Sequence, residues 1–375
     1  MTWRAIQRRD QSDVEDRPPA PAAATGGARA LWVRVALPLF GIAAALAIPL
    51  GLNQSNLTVY ITMCLYAVIT IGLSLLMGFA GQISAGQAAF MAIGAYTAAL
   101  LSLHGWPPLL AFLAAPVVSG LFAALIGIPV LRMRANYLAF ATMAIQLMLV
   151  ALLSNIPALG GSTGLVSIPN FGIGSWQIQS LRGYAWLSVA VAVIILFLSR
   201  NLIASRPGRA LRALATSEVA AESVGVHVMR FKVVVFAISA AYAGLAGAIY
   251  AFFMGAITPD GFSLLLSLEF LVMVIVGGLG TLAGPLVGTA LLVILNQVLN
   301  TLGTQPGMPA YMPEVLSYAV YGCTLVVVLI AFPHGLVPFF SGQFRRWFGR
   351  QQQAPTAKPV PGAPVDVEPQ RQSWG

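Results

Sequence analysis

The chain has 375 residues, of which 58% are hydrophobic and only 8% charged, with a net charge of +9. A soluble globular chain carries about 25% charged residues, so the composition excludes a water-soluble domain and fits a polytopic helical membrane protein. The surplus positive charge does not mark a nucleic-acid binder, because Lys and Arg sit in tails and loops beside apolar runs, where the positive-inside rule accounts for them.

Residues 1–30 carry Arg4, Arg8, Arg9, Arg17 and Arg29 among Pro, Ala, Gly and acids. Such a stretch cannot bury a core and reads as a disordered tail. The apolar run that follows, Val35–Leu50, has the weak Ala45-x-Ala47 pattern of a signal-peptide cleavage site. Its long polar lead favours a retained first span instead. Runs long enough to cross a bilayer fall at roughly 33–51, 58–77, 86–103, 109–130, 137–154, 184–199, 233–254, 264–277, 285–301 and 315–332.

These runs predict an all-α polytopic membrane protein with about 10 transmembrane helices and both termini in the cytoplasm. On that count 19 of the 20 Lys and Arg lie on the cytoplasmic side, and only Arg182 lies outside. The transmembrane domain extends over 31–340, and a second disordered tail, rich in Gln and Pro, follows over 341–375. The longest external connection is Ser154–Gly183, with the small-residue run Gly160-Gly161-Ser162-Thr163-Gly164.

Between Val35 and Phe340 only 14 residues are charged, and eight of them fall between Arg200 and Lys232. Charge avoids the hydrocarbon, so this island is a cytoplasmic loop. Pro207 suits the first turn of a helix, Ser217 suits an N-cap and Gly225 suits a helix stop. Two short helices are predicted, roughly Pro207–Ala215 and Glu218–Val224. Arg209 and Arg212 share one face of the first; Glu218 and Glu222 share one face of the second. The loop is either a docking element for a cytoplasmic partner or a solvated connection that fixes topology.

Two uncharged glycine-rich breaks interrupt the apolar runs, at Gly78-Phe-Ala-Gly81-Gln82-Ile-Ser84-Ala-Gly86-Gln87 and at Gly277-Gly278-Leu-Gly280-Thr281-Leu-Ala-Gly284-Pro285. Irregular backbone at membrane depth persists only where protein covers it or water reaches it. Gly81, Gln82, Ser84, Gly86, Gln87 and Thr281 therefore make a candidate polar path, against the plainer reading of tight turns at the inner surface. Gln146 lies mid-span, as a path residue or as interhelical glue. The small-residue patterns Gly94, Ala95, Ala98, Ala99 and Gly244, Gly247, Ala248 suit close helix packing.

Glu269 is the acid placed most like a proton-coupling site, about five residues into its span. The Cys and His residues form no metal-binding or nucleophile–base spacing, and no cofactor is expected. No G-x-x-x-x-G-K-[ST] phosphate loop occurs, so energy for pumping would come from a partner or an ion gradient. A faint internal repeat relates 130–144 to 226–240, with six of 15 positions the same; transporters commonly contain such repeats.

Taken together, Gly81-Gln-Ile-Ser84-Ala-Gly86-Gln87-Ala-Ala-Phe90 with Gly94-Ala-Tyr96, Leu131-Arg-Met-Arg134 with Tyr137-Leu-Ala139 and Thr142, and Gly208-Arg-Ala-Leu-Arg212 with Ala220-Ala-Glu222-Ser-Val-Gly225 resemble the signatures of branched-chain amino-acid ABC transporter permeases, the LivM-like branch. Pro259-Asp-Gly-Phe262, Glu269 and Gly277-Gly-Leu-Gly280 match it too, so the likeness covers about 35–335. Gln87 stands where many relatives carry a histidine.

The resemblance implies a permease subunit importing branched-chain or related amino acids across a bacterial inner membrane. It implies as partners a second permease subunit, two cytoplasmic ATPase subunits and a periplasmic solute-binding protein. The loop 200–232 would be the ATPase-coupling loop, with Arg209, Arg212, Glu218, Glu222 and Gly225 as its coupling residues. The alternative is an ion-coupled secondary transporter of small polar solutes; a membrane enzyme would need a catalytic constellation that the residues do not form.

Overall fold

The computed structural model describes residues 45–303, apart from 133, 134, 175, 224 and 226, together with 322, 336 and 337. Within it the helices are α1 Gln54–Ser74, continued as a π-helical turn over Leu75–Phe79, α2 Gln87–Leu103, α3 Pro108–Val130, α4 Ala135–Asn155 and α5 Leu181–Ala204. They continue as α6 Arg206–Thr216, α7 Glu218–Ser223, α8 Val228–Met254, α9 Leu264–Gly277 and α10 Ala283–Gly303. A two-residue hairpin, β1 Gly172–Ile173 with β2 Trp176–Gln177, lies between α4 and α5. The α6–α7 pair and this hairpin mark the two ends of the bundle.

Seven of the described helical stretches are long and apolar enough to cross a membrane, and α2 is a shorter apolar helix. They coincide with eight of the ten runs anticipated from sequence. The last run, 315–332, lies outside the described residues, and of the first only 45–51 is described, as helix. The two tails and the placement of the termini also lie outside them. The chain is thus a multi-pass, essentially all-helical membrane protein.

α2 and α8 form the centre. Twelve of the 17 residues of α2 are buried, Gln87, Phe90, Met91 and Tyr96 among them. Such burial on all sides is the signature of a helix enclosed by others. The contact with α8 is backbone on backbone. A Cβ on Gly94 would fall on the carbonyl of Gly244, and one on Gly247 would fall on the carbonyl of Met91. Small residues let helices approach this closely where no hydrophobic effect drives them together.

α3 closes the third side. The single O–H of Ser119 is shared between the carbonyls of Phe90 on α2 (3.1 Å) and Ala240 on α8 (2.8 Å), so three helices meet at one hydroxyl. The opposite flanks of α3, α4 and α5 keep Leu113, Val117, Leu121, Phe140, Leu147, Ile194 and Phe197 exposed, as a lipid-facing surface requires. α9 and α10 pack through glycine in the same way, Gly277 against Gly284 and Gly288 against the Met273 carbonyl.

Between α5 and α8 the anticipated helix pair is present, with bounds shifted by one residue at each end of α6 and by one at the end of α7. Ser205 caps α6 by accepting from the Gly208 N–H (3.4 Å), with proline in the first turn. Gly225 ends α7 at φ +81°, a backbone region that glycine enters without steric cost. Leu214, Ala221 and Val228 bury one face of the pair in a small core of their own, while Arg209, Arg212 and Glu222 are exposed. Arg212 donates to the Ile203 carbonyl (2.7 Å) at the end of α5.

Overpacking a buried contact typically costs about 1–3 kcal/mol, and here the obstacle is backbone that cannot move aside. Gly247→Val should therefore abolish recovery of monodisperse protein from detergent extracts in size-exclusion chromatography. Gly51→Ala, at a position with open space around it, should leave recovery unchanged.

Candidate functional site: two helix starts inside the bundle

The first glycine break does not turn at the end of the bundle and stop there. α1 runs to Phe79, and at its foot Gly78 lies directly against the backbone of Gly280 in the second break. Gly81, at φ +65°, reverses the chain beside Ala215 of α6. Residues 82–86 then run without helix back into the protein, and α2 starts at Gln87.

Three neighbours measure the depth of that start. Ala85 donates its N–H to Thr142 Oγ1 (3.0 Å), seven residues into α4. Gln87 Nε2 donates to Ser239 Oγ (2.8 Å), eleven residues into α8. Ala88 donates its N–H to Ser267 Oγ (2.8 Å), ten residues short of the end of α9. At about 1.5 Å per residue the start of α2 lies roughly 10–16 Å inside the helix ends at the α6–α7 face. Five non-helical residues reach about 16 Å, so the chain has the length to climb there. The first break thus combines a turn at Gly81 with a climb into the bundle, whose depth its distant hydrogen-bond partners set.

α9 starts beside it. Ser263 caps α9 by accepting from the Leu266 N–H (3.4 Å). Ser267, in the first turn of α9, accepts from the first turn of α2 and donates to Gln146 Oε1 (3.3 Å). Gln146 in turn donates from Nε2 to the Phe262 carbonyl, just ahead of α9. One face of α4 therefore straps both starts, Thr142 holding α2 and Gln146 holding α9. The positive ends of two helix dipoles meet within the bundle, where little water screens them.

Polar atoms near these starts lack partners. Seven buried side-chain N or O atoms among the described residues have none, and four of them belong to the break: Gln82 Nε2 and Oε1, Ser84 Oγ and Gln87 Oε1. Gln82 is 3% exposed, Ser84 0% and Gln87 1%. Each unsatisfied buried group costs about 1–3 kcal/mol, and buried polar groups are otherwise nearly always paired. Two convergent helix starts and a set of unpaired amide and hydroxyl groups suit a small polar solute with a carboxylate.

The other residues singled out from sequence fall as follows. Gly81 makes the turn, and Gly86 lies on Thr142, where a Cβ would strike the Thr142 carbonyl. Gln146 has both ends of its amide engaged. Thr281 lies in the second break, donating to the Gly278 carbonyl (3.1 Å) and accepting from the Gly284 N–H (3.0 Å). Its own carbonyl accepts from Ser74 (3.4 Å) at the foot of α1, so it belongs with the Gly78–Gly280 contact. Sequence reasoning did not single out Ser239 or Ser267. Their signal was a hydroxyl within an apolar run, which must find a partner there.

A family model described as "Branched-chain amino acid transport system / permease component" matches residues 55–329. The chain belongs to this family. It is 29% identical over 329 residues to the high-affinity branched-chain amino acid transport system permease protein LivM of Escherichia coli strain K12, covering 80% of this chain and 74% of that one. The corresponding permease protein LivH of the same strain is 26% identical, over 72% of this chain and 91% of its own. A more distant relative is the nucleoside ABC transporter permease protein NupC of Lactococcus lactis, 23% identical over 70% of this chain and 87% of its own. A comparison with solved structures found no match.

The candidate site has a structural layer that can be tested apart from transport. Gln146→Leu strips Phe262 and Ser267 of a partner and should destabilise by about 1–3 kcal/mol per orphaned group. Gln82→Leu removes no hydrogen bond and two unpaired buried atoms, so its stability should equal or exceed that of the parent. Thermal unfolding of the purified chain in detergent measures both, with a lowered midpoint expected for the first variant only.

Proposed function

We propose that the chain forms the transmembrane path of an ABC importer for branched-chain or related amino acids. The observation that carries this reading is the start of α2 inside the bundle, facing the start of α9 and surrounded by the unpaired polar atoms of Gln82, Ser84 and Gln87. A zwitterion presents a carboxylate, which the two dipole ends attract. Among the described residues no charged side chain stands at the paired helix starts themselves, which lets such a solute leave them as readily as it enters. The names borne by LivM and LivH relatives support the solute class. NupC is named for nucleosides, so family membership alone does not select amino acids.

In the cell this reading sets the protein in a bacterial inner membrane, with about ten spans and both termini cytoplasmic. The basic α6–α7 end then faces the cytoplasm and the β1–β2 end faces outward. A second permease of the same kind completes the path, as the pairing of LivM and LivH among the relatives suggests. Two cytoplasmic ATPase subunits supply energy that this chain has no phosphate loop to capture, and a periplasmic binding protein delivers solute. The α6–α7 pair is the coupling element. It is built rather than flexible, with a buried face of its own and an exposed face bearing Arg209 and Glu222, and Gly81 turns directly beside its Ala215.

An ion-coupled transporter is the second reading, favoured by Glu269 alone, which is part-buried within α9.

Uptake of labelled leucine by proteoliposomes containing the whole complex is the test. Gln82→Leu with Gln87→Leu should reduce uptake about five- to thirtyfold, as loss of one or two polar contacts worth about 1 kcal/mol each implies, while the complex still co-purifies. Gly86→Leu is the poorer variant, because it collides with Thr142. Parent-rate uptake by the double variant would assign the break to packing.

Topology is tested by single cysteines at Ser162 and Ser217 in a cysteine-free background. An impermeant thiol reagent on intact cells should label the first and not the second. Glu218→Lys with Glu222→Lys should leave expression unchanged and weaken recovery of the ATPase subunits; recovery at the parent level would show that the loop is only solvated surface.

A further inference from the structure

Glu269 does not face the paired helix starts. It follows Ser267 by two residues, a turn of about 200° about the helix axis, so α9 presents Ser267 to α2 and Glu269 to the opposite side. There α1, α9 and α10 leave a cleft of about 200 Å³, lined by Thr58, Thr62, Glu269, Asn296, Gln297 and Asn300. Among the described residues no basic side chain lines it. The amides form an ordered row on α10, with Asn300 donating to Asn296 Oδ1 (3.0 Å). The Glu269 carboxylate has no hydrogen bond or ion pair among the described residues.

We propose that this cleft is a second solute station, one that takes the ammonium group of an amine-bearing solute on Glu269. An ammonium has three donors and no acceptor. Among the described residues the cleft offers a carboxylate, amide oxygens and hydroxyls, which accept, and no basic side chain that would compete. An acid within a membrane helix is costly unless water or a partner charge meets it, and an arriving cationic group supplies that charge. The carboxylate and ammonium of one amino acid are too close together to reach around α9, so the cleft and the paired helix starts act in sequence and not as two halves of one site. The inference rests on the permease reading above and names which part of the solute each station holds.

The test reads the cleft directly and does not depend on knowing the solute. In the complete transporter in lipid nanodiscs, with Cys64→Ala and Cys323→Ala, Gln297→Cys serves as the reporter. Its modification is timed with a trimethylammonium thiosulfonate reagent and with the sulfonate reagent of similar size. A cleft carrying one sign of charge raises the local concentration of the opposite sign by about tenfold or more, so the cationic reagent should react at least about tenfold faster. Glu269→Gln should erase that preference and Glu269→Asp should keep it. Methylammonium chloride should slow the cationic reagent, and sodium chloride at the same ionic strength should not.

Equal rates for the two reagents, or no modification, would overturn the proposal. Protection by sodium rather than methylammonium would replace it with an ion site. An unchanged preference in Glu269→Gln would remove the carboxylate from the account. Failure of the permease reading would appear separately, as a parent complex that drives no ATP-dependent uptake.

Discussion

The first turn of a helix has N–H groups that its own backbone cannot satisfy. At the surface water accepts from them; within a bilayer something in the protein must. α2 starts roughly 10–16 Å inside the bundle, where Ser267 of α9 accepts from Ala88 in its first turn and Thr142 of α4 accepts from Ala85 just ahead of it. Much of the remaining architecture follows from that requirement. α4 must present Thr142 and Gln146 four residues apart on one face, and α9 must start where Ser267 reaches α2. α8 must lie close enough for Ser239 to meet Gln87. The glycines of α2 and α8 are what permit that approach.

The same arrangement separates holding from transporting. Thr142, Gln146 and Ser267 spend their hydrogen bonds on one another and on backbone, and Ser239 accepts from the Gln87 amide. The side chains of Gln82 and Ser84 have none among the described residues. A rigid outer set of polar groups thus keeps an inner set in position and unsatisfied, which is how a site retains affinity for a polar visitor without collapsing on itself.

Much of this was legible in the sequence. The bounds of α9, Leu264 and Gly277, are those of the apolar run read from the sequence, which the glycine pair Gly277-Gly278 closes. The α6–α7 pair was legible because Pro207 and Gly225 act locally through their own backbone preferences. The packing role of Gly94, Gly244 and Gly247 was legible as a pattern of small residues, though not which helix each would meet. The climb of residues 82–86 was not legible. A run of glycines and amides has the same composition at the surface as at depth, and its depth is set by contacts to residues 57 and 179 positions away. The meeting of the two glycine breaks at Gly78 and Gly280 was hidden for the same reason. So was the closeness of Gly81 to Ala215, which joins a break and a coupling helix that lie far apart in the chain.

The burial of α2 has a consequence for how the protein is made. Only 17 residues long, with a glutamine at its start, α2 is poorly suited to lodge in lipid by itself. The helix that encloses it, α8, begins 125 residues after α2 ends. At a synthesis rate of about 5–20 residues per second, α2 waits roughly 6–25 s for its main partner. During that interval α1 and α3 are its available company, and Ser119 of α3 already reaches the Phe90 carbonyl. The centre of the mature bundle is therefore assembled late, around a helix held in trust by its two sequence neighbours.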